Sequence, residues 1–521
     1  MTFKRRRFQF NITARYVPLT SNLPHFTSIY HDWPPKNLRK KIPNLIQTAT
    51  IEKSQPENTL TAIDAAHTLM GPPIHIQSGD QFELILLNKL ETSGISLHWH
   101  GFEMKNSLEY DGVVGLTQNP VSPFGQFVYN FTIDESPGTY WYHTHSGAFG
   151  ADLYNAVKGP LIVHSNSDES RKVVDKLNQI QQSISSTTQP SISANEMIKP
   201  LAYKKERILF FSDGFLMSES LAYMNVMGGL NSPPSKDENG WLVGTHPWEF
   251  GTCNGKLREI VHVRPGNTYK FRLICASSMY AFRIRIHNFP MTIVAVDSSP
   301  VLPYVVDQIV IHAAERFDVE VTIPYDVAVG ETFWIKADTL ESKLQGYQNG
   351  IRAILNVVNS TSSMFINITD SKIPDPKDDI RIKEEVEQLT TMNCYNNSTK
   401  NTEQSRYKLL CIPITDLKPN ISSYASPLSE ETEVHTVDFH FQPPPQFSHF
   451  VRIDNVQWIQ HVNPIKSMLQ SDFDPNLDMH EHTAMLNIKD YSTSVIIWRN
   501  KSTMDHPIHL HGYKSKSIHV K

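Results

Sequence analysis

Cysteine is scarce in this chain, and none of the four residues, Cys253, Cys275, Cys394 and Cys411, has a histidine beside it. Four thiols in 521 residues exclude a disulfide framework and leave three pairings open. Cys394 and Cys411 lie in a polar stretch where a bridge closing a short loop would contribute about 3 kcal/mol in an oxidising compartment. Cys275, in the apolar run FRLICA, reads as a small buried hydrophobe. Basic charge is also missing. A net charge of −5, with Lys4 to Arg7 as the one basic run, offers no face for nucleic acid. No apolar stretch approaches the length of a membrane span, and FQFNITARYVPL behind the basic run is too polar for the apolar segment of a signal peptide. Against that lack stand eight Asn-x-Ser/Thr sequons, at Asn11, Asn130, Asn359, Asn367, Asn396, Asn397, Asn420 and Asn500. Their density points to an extracellular protein whose true start is missing or mis-assigned here.

What the sequence does hold is strand-like text. From Phe8 to about Val163 short alternating segments such as QFELILLNKL, GISLHWHG and GTYWYHTH stand between turn signals, at the spacing of an all-β sandwich. A length of 521 residues suffices for three domains. The first covers 1–165, with irregular structure or an altered first strand expected between Leu19 and Glu57. A linker over 166–205 follows, in which Val173, Leu177, Ile180 and Ile184 fall at helical spacing. The second β domain covers 206–358, with hairpin turn signals at Asn254-Gly255 and Pro265-Gly266. A charged, sequon-bearing linker over 359–432 leads to a third β domain over 433–521.

Histidine is distributed far from evenly. With 23 histidines in 521 residues, chance gives about one His-x-His, and there are four. His98-Trp99-His100 and His143-Thr144-His145 each end a strand-like segment, and His509-Leu510-His511 closes the run HPIHLHG. His480-Glu481-His482 sits in an Asp-rich approach and reads as a solvated loop. If HPIHLHG is extended, His509 and His511 share one face, while His506, an odd number of residues earlier, faces elsewhere. One segment then serves two metal centres. Imidazole ligands suit copper, and zinc could occupy the same residues. The single histidines His262, His287, His312 and His440 read as structural.

HWHG, GTYWYHTHSG and HPIHLHG, in this order, resemble three of the four copper-binding segments of the multicopper oxidases, the family of laccases, ascorbate oxidases and ferroxidases. The intervening DGVVGLTQNPVSPFGQFVYNFTI, VRPGNTYKFRLICA and VDQIVIHAAERFDVEVTI agree. The resemblance implies three cupredoxin-like Greek-key β-sandwich domains, the third incomplete, with a copper-free middle domain and four coppers in a complete member. It implies that His98 and His509 hold the type 2 copper, His100 and His143 one type 3 copper, His145 and His511 the other, and His506 the type 1 copper. Asp111, in EYDGVVG, matches an acid that helps deliver protons, since reducing dioxygen to water consumes four; an Asp-Gly turn is the plain alternative. Dioxygen and a small phenolic, aromatic amine or metal-ion donor are the implied partners.

The family's fourth segment, His-Cys-His followed by a further His and an axial Met, is absent from these 521 residues, and a truncated isoform or gene model is the expectation. The rivals are a non-catalytic copper-binding or structural protein on the same scaffold and a zinc hydrolase, for which no general-base motif is evident. Because the type 1 centre needs a thiolate, the 521 residues expressed alone should give no intense blue band and no steady oxidation of phenols under air. Oxygen consumption is the measurement, and robust turnover with bound copper refutes it.

Overall fold

β-branched and aromatic residues alternating with polar ones become strands almost throughout the computed structural model, which describes residues 4–18, 45–52, 60–61, 70–90, 94–145, 157–168, 170–172, 174–175, 177, 205–214, 235–236, 242–243, 250–278, 280–340, 350–359, 388–394, 408–420, 432–441, 451–453, 456–457, 486, 488, 494–501 and 506–512. Among these residues no helix is long and apolar enough to cross a membrane. The fold is all-β, built from stacked sheets.

In the first sandwich one sheet runs Leu45–Glu52, Arg5–Pro18, Gln81–Asn88, Gln126–Thr132, and the other Ile74–Gln77, Lys158–His164, Gly138–Thr144, Leu97–His100. Phe82, Trp99, Tyr129, Tyr140 and Tyr142 fill the space between them, all essentially inaccessible. Alternation expected in the first half of QFELILLNKL fails at Glu83. It is buried because Arg5 and Arg7, on the paired strand, both reach its carboxylate. Leu45–Glu52 pairs with Arg5–Pro18, so this part of the tract, expected to hold irregular structure or an altered first strand, is a strand. The expected helix is present in part, at 168, 170–172, 174–175 and 177, with Val174 buried and Asp175 paired to Lys4 and Arg6. Val173, Ile180 and Ile184 lie outside the described residues.

The middle sandwich packs a six-stranded sheet on a seven-stranded one. Asn254-Gly255 and Pro265-Gly266 do make tight turns, with positive φ at Asn254, Gly255 and Gly266, but each carries the chain from one sheet to the other. The linker expected over 359–432 needs correction. Gln388–Met392 and Lys408–Ile412 pair in parallel and extend the seven-stranded sheet beyond Gln308–Ile311. Apolar residues make this worthwhile: Leu389 and Met392 are buried in the stretch, and Met392 joins the core of the middle sandwich. Cys394 and Cys411 form a disulfide across that added pair, 17 residues apart in sequence. Cys253 and Cys275 are free and buried, and burial raises both thiols, Cys275 to about 12. In the third domain the described strands form one sheet in the order Val456–Gln457, Val451–Ile453, Glu433–Phe441, Ser494–Asn500.

Two arginines of the middle sandwich hold the first one. Arg272 donates to Thr139 and to Asp318, at 2.7 and 2.9 Å, and Arg316 donates to the Thr139 carbonyl at 3.2 Å. Lys158 of the first sandwich reaches the Ala276 carbonyl at 2.8 Å. Replacing Cys394 and Cys411 with Ser should cost about 3 kcal/mol by the loop-closure argument, read as a lower urea midpoint under oxidising conditions. An unchanged midpoint would show the added strands to be held without the bridge.

Candidate metal centre

Antiparallel pairing alone sets four of the histidines side by side. Leu97–His100 pairs with Gly138–Thr144 so that His98 lies opposite His143 and His100 opposite Trp141. The two-residue period turns Trp99, Tyr140 and Tyr142 into the core and sends His98, His100, Trp141 and His143 to the other face. The ladder runs on one residue further, His145 N–H donating to Ser96 C=O at 3.1 Å.

His509 and His511 arrive from the far end of the chain on 506–512, a stretch without ladder bonds. His509 stacks on His100, with ring centroids 3.8 Å apart, and His511 lies 4.1 Å from His98 and 5.2 Å from His145. His98 stands 5.3–5.7 Å from His100, His143, His145 and His509, His509 stands 4.7 Å from His511, and His143 stands 5.8 Å from both His100 and His145. All six imidazoles of the three expected pairs therefore meet. The two closest ring pairs, His100 with His509 and His98 with His511, are not the sets that the resemblance assigns to one copper each. His506 stands apart, 4.8 Å from Phe439. His440 is half-buried on its strand, His262 meets Asn356 at 3.2 Å, and neither touches the cluster; His480 and His482 lie outside the described residues.

Asp111 organises the centre. The Gly112 backbone, at φ +87°, lies so close to the Leu97 carbonyl that a Cβ there would sit 2.0 Å from its oxygen, which presses the Asp-Gly turn against the first histidine strand. His98 Nδ1–H then donates to the Asp111 carbonyl at 2.8 Å, with Oδ1 3.1 Å away, and His511 Nδ1–H donates to Oδ2 at 3.0 Å. Both readings of Asp111, turn residue and site acid, thus describe the same residue. Burial works against its charge, but the donors from His511 and His98 outweigh burial and hold the carboxyl well below the usual range. His143 Nδ1–H donates to the Thr144 carbonyl at 2.7 Å.

Each of these bonds occupies Nδ1 and leaves the Nε2 lone pair free, the arrangement a metal-binding histidine needs. His98 Nε2 is buried and has no hydrogen-bond partner among the described residues, a costly condition that a metal ion would relieve. Burial, reinforced by neighbouring imidazoles, lowers His100 and His143 well below the ordinary value, His145 to about 3, His509 to about 2, and His511 as well. Rings held neutral are rings ready to ligate. Ligand atoms of His98, His100 and His509 gather closely enough for one ion, as do those of His98, Asp111 and His511. The donor set is imidazole with one carboxylate, which suits copper or zinc.

Sequence reasoning passed over two residues here. Trp141, from the same GTYWYHTH segment, stacks against both His100 and His143, at 5.0 and 4.4 Å. Arg316, from the middle sandwich, reaches the corner after His100. Trp141 was legible in the strand period; Arg316 was not.

Fold and cluster together define a β-sandwich metalloprotein with a buried multi-histidine centre. Three family models, each described as multicopper oxidase, match residues 46–168, 211–360 and 444–520. The chain is 23% identical over 501 residues to the oxidoreductase OpS5 of Beauveria bassiana, covering 94% of this chain and 72% of that protein. It is 27% identical over 287 residues to Laccase-1 of Cryptococcus neoformans, covering 53% of this chain and only 40% of that one. Among solved structures, Fet3p, a multicopper oxidase that functions in iron import, superimposes with a TM-score of 0.63 at 18% identity over 98% of this chain and 75% of its own. This chain belongs to the multicopper oxidase family.

Acid should undo the centre. The lowered histidines of the folded state bind fewer protons than the same residues unfolded, whose value is about 6.5, so stability falls as the pH drops below that point. Asp111 acts in the same sense lower down: its depressed carboxyl stabilises the fold above about 4 and ceases to do so as the pH falls further. Urea midpoints of the metal-free chain should decline from pH 7.5 to pH 5, and a flat profile would contradict the neutral, buried rings.

Proposed function

We propose that this chain carries the oxygen-reducing histidine centre of a laccase-like multicopper oxidase, a protein that takes single electrons from a phenol, an aromatic amine or a metal ion and passes four to dioxygen, which becomes water. The observation that carries the reading is the meeting of six imidazoles from two sandwiches around a His98 Nε2 that has no partner of its own. In this reading His98 and His509 hold the type 2 copper, His100 and His143 one type 3 copper, and His145 and His511 the other. His506, beside Phe439 and apart from the six, belongs to the type 1 centre that receives electrons. Copper, when bound, supplies the one-electron chemistry of such a centre.

The chain's own residues supply the setting. His98 and His143 are enclosed, His145 and His511 partly buried and His509 exposed, so the inner half of the site is shielded from water and charges there interact more strongly. Asp111 fixes the rotation of His98 and His511 at their Nδ1 atoms. Its Oδ1 is buried 3.1 Å from His98 Nδ1, so the carboxylate is held charged and fixed beside the cluster. Exposed sequon asparagines at Asn130, Asn359, Asn420 and Asn500, together with the Cys394–Cys411 bridge, support an extracellular setting.

Copper uptake by the purified chain tests the assignment. His98→Ala and His509→Ala should each lower the bound copper measured by mass spectrometry, whereas His440→Ala should leave it near the starting value. Equal losses in all three would overturn the ligand set.

A further inference from the structure

We propose that Arg316, a residue of the middle sandwich, acts on the histidine cluster as a positioning residue: its guanidinium props the corner after His100 and places a fixed positive charge that favours a small anion bound there. The inference rests on the copper reading above.

Arg316 opens the strand Arg316–Ile323, and its side chain is 5% exposed. Three contacts fix its direction. Nε donates to the Thr139 carbonyl at 3.2 Å, Nη1 donates to the Ala314 carbonyl at 3.1 Å, and Nη1 lies 3.0 Å from Asp297 Oδ1. Nη2 is the atom that lies against Gly101. A Cβ built on Gly101, the residue directly after His100, would lie 2.5 Å from Nη2 and 3.3 Å from Cζ. Gly101 is glycine for this reason as well as for its φ of +95°. The guanidinium thus occupies the space a side chain would take beside His100.

An arginine buried so far needs compensation, and the compensation here is lopsided. Asp297, its ion-pair partner, is 48% exposed and spends part of its field in water. Glu315, the adjacent acid, is raised by burial to about 7 and is tied down by the His312 amide and Asn393. Positive charge is left over on the side facing His100 and His509. A cation fixed next to a low-dielectric site attracts anions and costs no reorganisation when one arrives.

Azide is the probe, titrated into the copper-loaded full chain and followed by its charge-transfer absorption, with bound copper measured on every sample. Arg316→Gln should weaken azide binding roughly five- to tenfold, the effect of about one unit charge at partly screened range. Arg316→Lys should stay within about twofold of wild type, because it keeps the charge. Asp297→Asn should act in the opposite sense and tighten azide, since it removes the competing negative charge. A merely structural arginine would not reverse sign in this way. Should Arg316→Gln fail to fold, the lysine and Asp297 variants decide: azide affinity unchanged or weakened in Asp297→Asn overturns the proposal. Azide bound equally well by wild type and a folded, copper-replete Arg316→Gln overturns it too. A wild-type chain that takes up no copper instead overturns the copper reading on which it stands.

Discussion

One buried carboxylate ties the two ends of the molecule together. Asp111 receives His98 through its backbone oxygen and His511, 400 residues further along the chain, through its side chain. A carboxylate so enclosed would be expelled or neutralised without donors aimed at it. The imidazoles that satisfy it are in turn oriented by it, since each gives up Nδ1–H and turns Nε2 toward its neighbours. Removing the acid would free His511 and take the nearby Oδ1 from His98, whose bond to the Asp111 backbone would stay. The cluster therefore owes its direction to a residue outside the expected ligand set.

The middle sandwich has no cluster histidine, yet it frames the centre. Arg272 and Arg316 cross from it to the strand Gly138–Thr144, both through Thr139, four residues before His143. Lys158, buried on the strand next to that one, reaches back to Ala276. These are charged donors satisfied at an interface between sheets, geometry that specifies one docking and penalises slippage. The histidine strands thus have a rigid backing from the middle sandwich, which meets Gly138–Thr144 through Thr139, on the same face of the strand as Trp141 and His143.

Much of this was legible in the residues and some was not. The His-x-His pairs announced themselves because a period of two puts both rings on one face, and the pairing of the two strands, with Gln126–Thr132 of the other sheet between them in sequence, sets His98 against His143. Family segments supplied the partnership with His509 and His511, which no local pattern could give. Glu83 was misread because its alternation ignores the two arginines on the neighbouring strand. Gln388–Met392 and Lys408–Ile412 were missed because charge and sequons around them outweigh a few apolar residues in any window average, while burial depends on where the sheet edge happens to lie. Arg316 was invisible for the same reason: its partners are distant in sequence, and a charged residue at a strand start reads as solvated.

The span between Asp111 and His511 also sets an order of events during synthesis. At about 5–20 residues per second, the first sandwich leaves the ribosome roughly 20–80 s before the segment that completes the cluster. For that interval four clustered imidazoles and a lone acid stand together with one side open to solvent. A nascent chain in that state is a ready scavenger for whatever transition metal is at hand. Guarding it from mis-metallation then falls to whatever controls free metal where the chain is made.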